Sequence, residues 1–152
     1  MASNATNRAD VREGFAVLAE AALVGTGKPF QKVYGYQIGD FGSEAPVLLV
    51  LSEGSRRDRK TNGGKYDSLF RLALLTFVQE AEGSWTNADV EGALDSCEKA
   101  IADLVIDVST KSGSGGLWDF AALEDFSAIR PAKIGGRLYK MEERALLIRV
   151  IE

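Results

Sequence analysis

The chain has 152 residues, 45% of them hydrophobic and 26% charged, which predicts one soluble folded domain spanning residues 1–152. It contains no histidine and one cysteine, Cys97, so the composition excludes an intramolecular disulfide and a zinc site with nitrogen and sulfur ligands. Without histidine, the most common general base near neutral pH is also missing, which argues against enzyme activity; an enzyme that works with carboxylates stays a remote alternative. We expect no metal and no cofactor. The net charge of −4 disfavours nucleic-acid binding by the whole surface.

No stretch approaches the run of about 18 apolar residues that a membrane span requires. The first ten residues, MASNATNRAD, lack the apolar centre of a secretory signal. We therefore expect a cytoplasmic protein without a membrane partner.

The first half of the chain predicts one helix and three strands after a flexible N-terminus, residues 1–8. Apolar residues at helical spacing mark a helix over 11–24, which Asn7 or Asp10 caps. Glycine and proline at 25–29 end this helix. Strands are predicted over 32–41, 46–52 and 67–80, and the glycines at 63 and 64 between the last two are typical of a hairpin.

The second half predicts another helix and the remaining strands. A capping box of Thr86 and Asp89 opens a helix over 86–110, and a flexible connector, residues 111–116, follows it. Two or three strands complete the chain, near 126–130, around 137–143 and at its end. The predicted fold is α+β: two helices packed on one mainly antiparallel sheet, in the order α-β-β-β-α-β-β, with a long charged β-hairpin.

The segment SRRDRKTNGGKY, residues 55–66, concentrates positive charge in an acidic chain. It does not fit a P-loop, because Tyr66 and a strand follow Lys65 where Ser or Thr and a helix are required. Three hypotheses stay open: a solvated hairpin end, an arm that contacts an acidic protein neighbour such as another copy, and a small nucleic-acid-binding module. Under the last two, the contact residues are Arg56, Arg57, Arg59, Lys60 and Lys65.

Other conspicuous residues have simpler interpretations. Cys97 lies on the apolar stripe of the second helix, which predicts a packed core thiol rather than a nucleophile. The carboxylates of that helix lie off its apolar stripe and predict a solvated face. Trp85 precedes the helix cap and is expected to pack there, and Trp118, beside the connector, is a candidate interface anchor.

Several segments together resemble the tail terminator, or tail-completion, proteins of long-tailed bacteriophages. They are the N-terminal helix VREGFAVLAEAALV, the strand pair PVLLVLSEGSRRDRKTNGGKYDSLFRLALLTFVQE, the helix DVEGALDSCEKAIADLVID and the closing GGRLYKMEERALLIRVIE. The resemblance lies in element order and pattern over nearly the whole chain. The family has no short functional motif that would assign a role to a particular residue here.

This resemblance implies a structural virion protein rather than an enzyme. Its subunits would form a ring, expected to be a hexamer, that caps the head-proximal end of the tail tube and ends tail polymerisation. The implied partners are other copies of the chain, the tail tube protein and a head-completion or connector protein, with DNA only passing through the ring. Assembly would take place in the host cytoplasm.

Overall fold

The computed structural model describes residues 5–59 and 65–152 and contains two helices and six strands. The helices are α1 (Arg8–Leu23) and α2 (Asn87–Asp107), and the strands are β1 (Lys32–Tyr34), β2 (Val47–Arg59), β3 (Tyr66–Gln79), β4 (Phe120–Leu123), β5 (Ala128–Ile134) and β6 (Arg137–Ile151). The predicted α+β fold, with two helices and one mixed sheet, is confirmed at this level. Three strands follow α2, where the sequence predicts two or three, but their positions differ. Strand β4 was not predicted, and the strands predicted around 137–143 and at the end of the sequence form the single strand β6.

The sheet runs β1-β2-β3-β6-β4, and β5 also pairs with β6. Only β1 and β2 are parallel; the other pairings are antiparallel. Because β4 pairs with the C-terminal half of β6 and β5 with its N-terminal half, the two short strands form one margin of the sheet. The short strand β1 lies at the opposite margin.

Local sequence signals explain how both helices begin. The Asn7 side chain accepts a hydrogen bond from the backbone N–H of Ala9 at 2.8 Å, so Asn7 rather than Asp10 caps α1. Thr86 and Asp89 form the predicted capping box at the start of α2. Each helix then buries one apolar stripe against the sheet, as the helical spacing predicts.

The helices and the sheet enclose the main core. Phe15 of α1, Cys97 of α2, and Phe70, Leu72 and other sheet residues are buried there. Burial, with a smaller contribution from Glu142, raises the pKa of Cys97 to about 12. Cys97 is therefore a neutral core thiol, as predicted.

A smaller core lies on the face of the sheet opposite the helices, at one end. The loop 35–46 covers this end, and its Phe41 ring lies 4.8 Å from the Phe77 ring and 5.4 Å from the Tyr139 ring, centroid to centroid. The predicted strand over 32–41 is thus shorter than expected. Its second half leaves the sheet because Phe41 packs over the sheet face instead of pairing with a neighbouring strand.

The connector 111–116 differs from the prediction of a flexible segment. The N–H groups of Ser114 and Gly116 donate to the carbonyls of Thr110 and Lys111, at 2.9 and 2.8 Å. Ser114 is 2% exposed, and its hydroxyl oxygen accepts from the backbone N–H of Trp118. Glycine and serine are common both in flexible linkers and in tight turns. The composition of the connector therefore did not distinguish the hydrogen-bonded turns of the structure from a flexible segment.

Candidate interaction surfaces

Much of the basic segment 55–66 lies on strands. Strand β2 continues to Arg59, which pairs with Tyr66 at the start of β3. The arginines at 56, 57 and 59 therefore lie on a paired strand. Lys60 and residues 61–64 lie outside the described residues.

Arg57 forms contacts within the protomer. Its guanidinium donates to the backbone carbonyl of Thr6 at 2.6 Å and to the Ser68 hydroxyl at 3.3 Å. It also lies 5.2 Å from the Phe70 ring centroid and 4.0 Å from the Glu152 carboxylate. These contacts tie the segment before α1 to the sheet, and they give Arg57 a structural role that its sequence position did not indicate.

The remaining cations of the basic segment are exposed. Arg56 points away from the helices and lies 3.3 Å from Asp58 in an ion pair whose side chains are 71% and 63% exposed. Arg59 and Lys65 are exposed, and no ion pair within the described residues involves them. Of the predicted contact residues that the structure describes, Arg56, Arg59 and Lys65 are thus the ones that a partner can reach.

Trp118 does not lie on the surface. It is 1% exposed, its ring lies 6.4 Å from that of Phe15, and its indole N–H donates to the carbonyl of Val108 at 2.7 Å. This contradicts its interpretation as an interface anchor. The folded connector places Trp118 in the main core, where its one polar group is satisfied.

Ion pairs cross the sheet face that lacks helices. Arg71 contacts Glu53 at 3.9 Å and Glu124 at 2.9 Å, and the Nε of Arg149 donates to Asp67 at 2.9 Å. These bonds link residues of β2, β3 and β6 to one another and to the segment after β4. Arg71 and Arg149 on this face are therefore paired with carboxylates of the same protomer.

A groove lies at the β1 margin, between α1 and the residues after β1. Ala16, Val17, Val33, Gly35 and Tyr36 contribute to its walls, and it encloses about 400 Å³. Val17 is 67% exposed and Tyr36 62%. We call this the α1 groove; Arg12, Glu13 and Glu20 also line it, so it combines exposed apolar side chains with charged ones.

The opposite margin, formed by β4 and β5, carries a second group of exposed apolar side chains. Phe120 is 53% exposed, Ile129 54% and Phe126, in the loop between the two strands, 90%. The outer side of β4 is partly covered, because the Ala121 N–H donates to the Ser109 carbonyl at 3.0 Å and Phe120 forms an antiparallel bridge with Thr110. The outer side of β5 has no strand partner among the described residues, so this margin combines a short open edge with exposed aromatic side chains.

The β5–β6 hairpin is a second basic region that the sequence analysis did not single out. Residues 126–141 contain Arg130, Lys133, Arg137 and Lys140 and no carboxylate. Arg130 contacts Glu143 at 3.1 Å, and no ion pair within the described residues involves the other three. The four positive charges are spread over 11 positions, so they do not form a contiguous basic motif in the sequence. The absence of Asp and Glu from residues 126–141 is the signal that could have revealed this basic region.

The described residues contain no group of three or more Cys, Asp or Glu side chains arranged to hold a metal ion. Among these residues, neither helix is long and apolar enough to cross a membrane. A cleft of about 620 Å³ lies between the loop at 42–45, the end of β3 and the start of β6, and its ionisable side chains are Glu80, Glu82, Arg137 and Tyr139.

Comparison of the chain with protein-family models and with curated protein sequences finds no match. Any proposal on function therefore depends on the surfaces described above.

Proposed function

We propose that this protein is a structural subunit of a phage tail that assembles into a ring, caps the head-proximal end of the tail tube and joins tail to head. The observation that supports this proposal most directly is the pair of exposed apolar surfaces at opposite margins of one sheet: the α1 groove and the β4–β5 margin. A ring of identical subunits requires two different surfaces that meet head to tail. The charged β-hairpin formed by β2 and β3 then projects toward a tube or head partner.

Electron microscopy of the purified protein, alone and mixed with purified tail tubes, tests this function. We expect rings in the first sample and rings at one end of the tubes in the second. When tube protein polymerises with the protein present, we expect shorter tubes than without it. A protein that stays monomeric and leaves both the ends and the lengths of tubes unchanged would contradict the proposal.

A second candidate function is nucleic-acid binding by the β2–β3 hairpin. It is favoured by Arg59 and Lys65, which are exposed and have no ion pair within the described residues. Such binding depends on phosphate contacts, so affinity should fall steeply as the salt concentration rises. Replacement of both residues by Ala should weaken DNA binding and leave ring assembly intact. Unchanged DNA affinity in this variant would exclude the hairpin as the site.

A further inference from the structure

We infer that the cleft between the start of α1 and the end of β2 binds a phosphate group, which belongs either to a nucleic-acid backbone or to a small free phosphate. This inference goes beyond the capping function and does not depend on ring assembly. It follows from three features of the described residues: the arginines that line the cleft, the charge balance around it and the donors that these arginines leave unused.

Arginines from a helix and a strand line this cleft, which we call the arginine cleft. It encloses about 590 Å³, and among the described residues its lining includes Arg8 and Arg12 of α1 and Arg57 of β2 but no carboxylate. Arg8 and Arg12 are four positions apart, so they lie on the same face of α1, about 6 Å apart along its axis. Ser55 and the segment 5–7 complete the walls. The cleft therefore places three guanidinium groups around one open space.

The strand geometry places a fourth arginine on the same side of the sheet. Arg57 donates to the segment before α1, so it lies on the helix side of β2. Because alternate residues of a strand share one face, Arg59 lies on that side as well, about 7 Å further along β2, and Arg56 lies on the opposite face. Arg59 thus extends the row of cations beyond the cleft.

Two of the four arginines have a carboxylate nearby, and both of these ion pairs are long. Arg12 lies 3.8 Å from Glu13. Arg57 lies 4.0 Å from Glu152, whose carboxylate accepts a hydrogen bond from the Thr6 N–H at 2.8 Å. These contacts reduce the positive charge of the cleft without cancelling it, because the other two arginines are unpaired.

The unpaired arginines are Arg8 and Arg59. Both are exposed, and no ion pair within the part of the chain that the structure describes involves either of them. Asp10 is two positions from Arg8 on α1, which places it about 200° around the helix, on the side away from the cleft. Four cations therefore face two carboxylates here, and this surface stays positive on a chain whose net charge is −4.

The two arginines at the base of the cleft are held in place and keep donors free. A guanidinium has five N–H groups. Arg12 donates to the Ser52 hydroxyl at 3.1 Å, and its Nε–H is buried without an acceptor among the described residues. Arg57 donates to the Thr6 carbonyl and the Ser68 hydroxyl. Groups that are already ordered lose little conformational entropy when they bind a ligand.

Phosphate is the anion that fits this arrangement. Its oxygens point in several directions, so guanidinium groups on two sides of the cleft can each donate to a different oxygen. A carboxylate has two oxygens in one plane, and a single guanidinium can bind both of them. The spacing of the arginines, about 6 Å along α1 and about 7 Å along β2, also allows successive phosphates of a nucleic-acid strand to contact them.

The test compares two single variants of the full chain. Arg8→Ala removes an exposed arginine from the cleft, and Arg56→Ala removes an exposed arginine from the opposite sheet face, so the two variants lose the same charge. Both should fold, which circular dichroism checks. In fluorescence anisotropy with a labelled DNA duplex, we expect the dissociation constant to rise about tenfold in Arg8→Ala, and the slope of log affinity against log salt to become shallower by about one. Arg56→Ala should keep the wild-type slope.

A second measurement distinguishes the two sources of phosphate. Inorganic phosphate is added at constant ionic strength, with chloride as the reference ion, and the melting temperature is recorded. A rise with phosphate that is absent in Arg8→Ala supports a site for a small phosphate, because a ligand that binds the folded state stabilises it. Arg8-dependent DNA binding without this rise supports a site for the nucleic-acid backbone. If neither ligand binds, or if Arg8→Ala and Arg56→Ala respond equally to both, the inference is overturned.

The outcomes also separate this inference from both candidate functions. If replacement of Arg59 and Lys65 by Ala weakens DNA binding but Arg8→Ala does not, DNA contacts only the paired strand ends; the inference is then overturned and the second candidate function stands. Rings in a wild type that binds neither ligand would overturn the inference and leave the capping function standing. Arg8-dependent phosphate binding by a protein that forms no rings would support the inference and contradict the capping function.

Discussion

The paired ends of β2 and β3 and the connector between α2 and β4 are held in place by different means. At the paired strand ends, side chains form the attachments: Arg57 connects the sheet to the segment before α1. In the connector, the backbone forms them, through the N–H groups of Ser114 and Gly116. We therefore expect truncation of selected side chains to destabilise the strand ends, and any added atom that disturbs the turns to destabilise the connector.

The largest effect on stability is expected when Trp118, which follows the connector, is truncated. Trp118→Ala leaves a cavity beside Phe15 and should lower the free energy of unfolding by about 3–5 kcal/mol, as measured by urea denaturation. Trp118→Phe keeps much of the volume but leaves the Val108 carbonyl without its donor, so it should cost about 1–3 kcal/mol. Equal losses in the two variants would indicate that packing is not the main contribution of Trp118.

One added methyl group tests how tightly the backbone of the connector is packed. A Cβ atom at Gly113 would lie 2.2 Å from the carbonyl oxygen of Asp107, which is closer than any real contact. Gly113→Ala should therefore lower the free energy of unfolding by about 1–3 kcal/mol. A melting temperature equal to that of the wild type would show that the connector relaxes freely, contrary to the hydrogen-bonded turns described above.

Two neighbouring arginines of β2 provide the corresponding test of the paired strand ends. Arg57→Ala removes the bonds to Thr6 and Ser68 and should lower the free energy of unfolding by about 1–2 kcal/mol in a chemical denaturation experiment, because the side chain is 29% exposed and solvent screens part of its charge. Arg56→Ala removes only an exposed ion pair and should change stability by less than about 0.5 kcal/mol. If the two variants lose the same stability, the contacts of Arg57 do not hold the strand ends in place.

The smallest effect on stability is expected when a methyl group is added where the structure leaves space for it. Gly92 lies within α2, and a Cβ atom there would meet nothing within 4 Å. Gly92→Ala should raise the free energy of unfolding by about 0.5–1 kcal/mol, because alanine loses less backbone entropy in a helix. Measured beside Gly113→Ala by thermal denaturation, it should shift the melting temperature in the opposite direction.

Much of the fold could be predicted from the sequence because its signals are local. The capping box at Thr86 and the apolar stripe of α2 depend on residues a few positions apart, and both agree with the structure. The end of β2 could not be predicted in this way. Its charged residues continue the strand because β3 pairs with them, and this pairing depends on residues 66–69, which lie further along the sequence.

The candidate surfaces were harder to predict, because they are formed by contacts between residues distant in the sequence. Trp118 appears exposed in the sequence because it follows glycines and serines, but the turns of the connector direct it inward. The α1 groove joins residues of α1 to Gly35 and Tyr36, which lie together only after the loop 35–46 leaves the sheet. The exposure of Phe126 could not be predicted, since a single aromatic between two short strands has no pattern that distinguishes it from a core residue.

The position of β6 has a consequence for the order of events during synthesis. This strand is translated well after β3, yet it lies inside the sheet and pairs with β3 on one side and with β4 and β5 on the other. While the ribosome is still translating residues 137–151, the edge of β3 that β6 will occupy is open and apolar. The nascent chain must therefore keep this edge from pairing with other chains until β6 emerges.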